Sequence, residues 1–335
     1  MRTQWLGAGA VMGAVALAMA ASPEAQQTPT AGAAAREAAS TSYVPPRTPW
    51  GDPDIQGGYT NVNENGIPLE KPGNVSADQL EDVDDGELAD LIRERNERAL
   101  ASAAGIGGRE TGAGPTHWYE HYGAKNSRAW MLSDPPDGQL PALTPAAQAR
   151  GRGRGRGFGG GGQADSWLDR SYYDRCITRG FPGSMMPAIY GNAYDITQAP
   201  GLVAIRYEMI HETRVIRLDD SPRTGLPSHM GEARGRWEGN TLVVETTNFD
   251  PRTAYRNGSS EMRLIERFTP VAPGIIEWSM TVNDPQTWVR PWTFGMRLTA
   301  DPDQPLFEYA CHEGNYAMRN ILSAARAEEA AAAEK

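Results

Sequence analysis

The sequence has little cysteine, a thin apolar content and only one long apolar run, and each shortage excludes something. Two cysteines among 335 residues, at 176 and 311, cannot make a zinc finger, a disulfide-rich scaffold or a redox CxxC pair. A hydrophobic share of 39% falls below the roughly 45–50% of ordinary globular chains, so part of the chain is not packed. Basic residues are also short: 32 Lys+Arg against 42 Asp+Glu leave a net charge of −10, which argues against a general polyanion binder and so against nucleic acid. Motifs for activated nucleophiles and bound phosphates are missing. There is no G-x-S-x-G, no S-x-x-K and no Walker loop, and Gly183-Ser184 and Ser259-Ser260 lack a recognisable elbow. His117 and His121 stand four apart, but Trp118, Tyr119 and Glu120 between them do not make H-E-x-x-H. That segment reads as aromatic packing, and neither metal nor cofactor is expected.

What is present begins with an address. Arg2 gives a positive start, Leu6 to Leu17 an apolar stretch and Ala18-Met19-Ala20 an A-x-A site, so residues 1–20 read as a signal peptide cleaved before Ala21. The run is short of the ~20 residues a membrane span wants, and an uncleaved anchor is the alternative. No later stretch is long and apolar enough to span, so the mature protein is expected to be periplasmic or secreted, without a membrane span. In an oxidising compartment Cys176 and Cys311 are expected to pair, with two buried thiols as the alternative.

Residues 21–42, rich in Ala, Ser, Thr and Gln, read as a disordered leader. The proline-dense stretch from Tyr43 to Gly57 forbids a regular helix or central strand and reads as an extended strap that buries Tyr43, Trp50 and Ile55. Ser76 followed by Gln79 resembles a capping box and opens a helical stripe over 76–103, while Thr144-Pro145 is a second helix start. Gly-rich 105–114 and the Arg-Gly run 150–158 read as loops, and residues 43–193 together as a wrap around a core. From Tyr194 onward short β-rich segments recur between turn signals: 202–211, 214–218, 234–237, 241–249, 262–269, 274–282, 287–298 and 305–311. This rhythm predicts a mainly β fold over 194–316, an antiparallel meander closed as a barrel or stacked as a sandwich, followed by a C-terminal helix and tail over 317–335.

Four stretches are distinctive together: Pro49-Trp-Gly-Asp-Pro-Asp-Ile-Gln-Gly57, the turn Asp134-Pro-Pro-Asp-Gly138, the hairpin Arg234 to Phe249 and the ending Tyr309-Ala-Cys-His-Glu-Gly-Asn-Tyr316. In these the chain resembles a large uncharacterised family of exported bacterial proteins, over most of its length from residue 43. The resemblance implies export and a settled architecture, and brings no activity or catalytic residue. In strand rhythm alone the β-half is similar to lipocalin-like barrels.

Alternation then sorts side chains. Val203, Ile205, Tyr207 and Met209 share one face and carry His211 in register, with Arg206 on the other; Trp288, Arg290, Trp292, Phe294, Met296 and Leu298 share a face. Such a face is either a ligand lining or plain core. Glu245 lies on the Val243 face of its strand, and His312-Glu313 follow Cys311 at a strand end, before Tyr316. Three functions fit. An acid/base enzyme for a small apolar or aromatic molecule would use His211, His312, Glu313 and Glu245 for proton transfer, with Arg206, Tyr207, Arg290, Trp288, Trp292 and Tyr316 binding the ligand. A lipocalin-like carrier would only hold that small-molecule ligand. A structural or partner-binding envelope protein would use its exposed segments. No oligomeric state is assigned.

Overall fold

The computed structural model describes residues 43–106, 120, 123–151, 164–252 and 255–334. The expected signal peptide and leader, His117, His121 and the Arg-Gly run from 152 lie outside them. Ten strands form one sheet: β1 (Gly57–Thr60), β2 (Leu132–Asp134), β3 (Ala193–Ala199), β4 (Leu202–Tyr207), β5 (Thr213–Arg217), β6 (Glu232–Glu238), β7 (Thr241–Thr247), β8 (Arg263–Ala272), β9 (Ile275–Asn283) and β10 (Trp292–Ala300). The order β1-β3-β4-β5-β6-β7-β8-β9-β10 closes on itself where Tyr59 and Thr60 pair with Ala300 and Thr299, giving a closed nine-stranded barrel. Closure removes the unpaired sheet edges that would otherwise invite aggregation. β2 pairs with the first part of β10.

The barrel is mixed, not a pure antiparallel meander. β5 and β6 run parallel at Arg217 and Arg234, because the connection 218–231 crosses the length of the barrel before the chain re-enters the sheet. The antiparallel neighbours on the same side are joined by two-residue turns, at 200–201, 239–240 and 273–274, and Gly201, Gly239 and Gly274 take positive φ in them. At the other end the connections 208–212, 248–262 and 284–291 are longer. That end carries most of the chemistry.

Strand alternation selects the interior. β8 buries Leu264, Glu266 and Phe268, β9 buries Ile276, Trp278, Met280 and Val282, and β10 buries Trp292, Phe294, Met296 and Leu298. Each large apolar side chain so buried is worth about 1.5–3 kcal/mol relative to exposure. At Gly235 a Cβ would come within 2.7 Å of Leu218 and 2.8 Å of Ile216, so the absence of a side chain lets β6 lie close to its neighbour.

The N-terminal region does more than wrap: it supplies β1 and β2. Its strap is fixed where the Ile55 N–H donates to Gln198 Oε1 at 2.7 Å and Gln198 Nε2 donates to the Pro53 carbonyl at 3.1 Å. Ile55 is buried, but Trp50 is 37% exposed and its indole donates to Asp52, contrary to expectation. Helix α1 (Asp85–Ile106) starts later than the Ser76 pattern implied. Asp84 accepts from the Glu87 N–H at 2.8 Å as the cap, and Ser76 instead donates from its N–H and hydroxyl to the Glu87 carboxylate. Arg95 carries α1 inward, bonding Asn126 and the Arg128 and Ala129 carbonyls, and burial lowers its pKa to about 10. Helix α2 (Pro145–Gly151) is capped by Thr144, and α3 (Ala317–Ala333) has no buried residue.

The segment 305–311 is not a strand. It lies outside the barrel, held by the disulfide between Cys176 and Cys311, whose Cα atoms are 5.7 Å apart. No described helix is long and apolar enough to cross a membrane.

Candidate functional site

The barrel interior is occupied by the protein's own side chains. Arg214, on β5, forms an ion pair with Glu266 on β8, donates to Thr246 Oγ1 at 2.7 Å and stacks on Phe181 with its guanidinium carbon 3.8 Å from the ring centre. Trp278 Nε1 donates to the same carboxylate at 3.0 Å. Burial opposes the Arg214 charge, but Glu266 and Tyr207 outweigh it and hold the guanidinium pKa above its ordinary value. Tyr207, only 1% exposed, packs edge-on against Tyr194, and burial raises its phenol pKa. Trp288 and Trp292 pack on each other at 5.4 Å, and Trp292 stacks on Phe294 at 5.4 Å. Tyr207, Trp288 and Trp292 are therefore core. Two open clefts, of about 420 and 350 Å³, lie outside against α1.

His211 does not enter the barrel. β4 ends at Tyr207, and Ile210 (φ 58°) and His211 (φ 43°) turn the chain outward through a one-turn helix over Met209–His211. The ring is exposed, with Nδ1 3.2 Å from the Tyr309 carbonyl. This places the C-terminal segment on the β4–β5 corner. Around it stand three phenols: Tyr190 and Tyr309 meet hydroxyl to hydroxyl at 3.4 Å, and Tyr173 bonds both. Burial, then Tyr190, pushes the Tyr173 pKa up to about 12.

Two carboxylates share this rim. Glu120 is held by the Gly191 N–H at 3.1 Å and by Asn192 Nδ2 at 2.8 Å. Glu208 has one carboxylate oxygen buried without a hydrogen-bond partner among the described residues; burial first and the charge of Glu120 second raise its pKa. Gly191 permits the close approach of this corner, since a Cβ there would lie 2.3 Å from the Met209 sulfur.

The remaining candidates do not converge. His312 and Glu313 are exposed before α3, and no hydrogen bond or ion pair among the described residues joins either to His211. Arg206 lies on the outer face of β4, and Arg290 is exposed and paired with Asp134 at 2.7 Å. Glu245 faces outward to Arg223 at 3.0 Å and Arg263 at 3.6 Å, and Tyr316 is 64% exposed at the start of α3.

One constellation had no signal in the sequence. His229 Nδ1 lies 3.7 Å from Asp250, whose pKa falls to about 2, chiefly through the hydrogen bonds from Arg252. Tyr172 lies 4.8 Å from His229, and Arg175 sits between the rings of Trp167 and Tyr172. These residues come from stretches about 167–175, 229 and 250–252, so only the fold joins them. Comparison with protein-family models, with curated proteins and with solved structures finds no match for this chain.

Proposed function

We propose that this is an exported, partner-binding protein of the cell envelope that works through its outer surface and does not contain a small molecule. One observation carries this: the volume a lipocalin-like carrier would leave open holds Trp278, Trp292, Phe294, Tyr207 and the Arg214–Glu266 pair, each at 3% exposure or less. The signal-like N-terminus, the disulfide and the resemblance to exported bacterial proteins support the location. Titration with 1-anilinonaphthalene-8-sulfonate tests it. No saturable one-to-one binding and no energy transfer from the buried tryptophans are expected, and native mass spectrometry of protein taken from its own periplasm should show the bare chain. A stoichiometric internal ligand overturns it.

Acid/base chemistry at the rim is the second function, favoured by Glu208 alone. Burial and the neighbouring Glu120 charge hold the proton on Glu208, as suits a general acid, with Glu120, the phenols and His211 alongside. The Glu208 carboxyl resonance should titrate above the ordinary 4.5. A normal midpoint removes this function.

A further inference from the structure

We infer that segment 164–177 is a docking surface for an acidic, apolar peptide segment of a partner protein, with Arg175 meeting its carboxylate. This rests on the surface-binding function proposed above. Arg175 is the unusual group. Its guanidinium carbon lies 4.6 Å from the Trp167 ring centre and 4.9 Å from that of Tyr172, and among the described residues the guanidinium makes no hydrogen bond and no ion pair. In a chain with 42 acidic residues, that is a cation left open and held in place by rings. Apolar surface borders it: Trp167 is 52% exposed, Leu168 65% and Ile177 39%. Trp, Tyr and Arg are the side chains that dominate binding hot spots.

The segment is also tied down at several points. Ser166 and Asp169 cap the turn reciprocally, Arg170 pairs with Asp174 at 3.3 Å, Arg326 of α3 donates to the Ala164 and Asp165 carbonyls at 3.0 Å, and Cys176 is bonded to Cys311. Preorganisation of this kind lowers the ordering cost of association. The charge pattern chooses the partner. A polyanion needs several open cations, but Arg252 beside Tyr172 is already bidentate on Asp250, and Asp165 and Asp169 stand exposed nearby. One open guanidinium between apolar groups matches one carboxylate between apolar side chains.

A fluorescein-labelled octapeptide alternating glutamate and leucine, followed by anisotropy on the full chain, tests this. Saturable binding is expected, weakened about tenfold by Arg175→Gln, partly kept by Arg175→Lys and weakened by 0.5 M salt as exposed charges are screened. Equal binding of the peptide with glutamine in place of glutamate, no effect of Arg175→Gln, or tighter Arg175-dependent binding of heparin each overturns the proposal. Neither variant touches the buried tryptophans that report an internal ligand, so loss of this surface and loss of the broader function are read separately.

Discussion

Arg214 and Arg175 both lie against aromatic rings, and their surroundings could hardly differ more. Arg214 lies inside the barrel on Phe181 and is met by Glu266, Thr246 and, through Glu266, Trp278. Arg175 lies outside on Trp167 and Tyr172 and is met by no carboxylate among the described residues. Removing a charge from water costs several kcal/mol unless it is paired, so the inner arginine exists only because its partner does. The outer one keeps enough water to remain open. Inside, charge serves the fold; outside, it is available.

Breaking the inner pair should have the largest effect. Glu266→Gln leaves Arg214 buried without a counter-charge and should cost about 3–5 kcal/mol in denaturant unfolding, while Arg214→Met with Glu266→Leu should recover most of that loss. A double variant no more stable than the single one would show that the pair contributes through geometry and not charge. Next comes the tether of the outer segment. The Cys176–Cys311 bridge closes a separation of 135 residues, worth at most about 5 kcal/mol in the chain-entropy model. Cys176→Ser should lower stability by about 2–5 kcal/mol and raise hydrogen exchange at 164–177 and 305–316 before it does so in the barrel strands.

The contrast sharpens at Arg175→Met, which should cost under about 1 kcal/mol, the size of an exposed cation–π contact. A cost near that of Glu266→Gln would mean the outer arginine is structural. The smallest effect is set by pH. Glu208 is raised above its ordinary 4.5, so the folded state holds its proton more tightly than the unfolded chain, and that contribution is complete below 4.5 and lost as pH rises through the folded midpoint. Glu208→Gln should therefore raise Tm at pH 7.5 by roughly a degree or two and leave it unchanged or lower at pH 4. The group is half-buried, and solvent screening keeps the effect small.

Much of the barrel was legible because alternation is a local signal. Trp237-Glu-Gly-Asn-Thr241 reads as a hairpin, and β6 and β7 join through Gly239 at φ 63°. β3 was harder, since Asp195, Thr197 and Gln198 dilute its pattern and its partner β1 is a four-residue strand just after the strap. His211 shows where periodicity fails: the face it shares with Tyr207 on paper ends when Ile210 adopts a left-handed backbone, which no β-branched residue advertises. The segment 305–311 alternates enough to suggest a strand, but the barrel is already closed by β1, so no edge remains for it. The outer cluster could not be read at all, because His229, Asp250 and Arg175 become neighbours only through strands that lie between them.

Closure by β1 has a consequence for how the chain matures. Tyr59 pairs with Ala300, and Cys176 with Cys311, so both the seam and the covalent tie unite early and late parts of the chain. A chain made N-terminus first cannot complete either until residues 300 and 311 have been made. Contacts so distant in sequence form slowly, and until β10 has formed and paired, β1 presents the unpaired edge that closure removes.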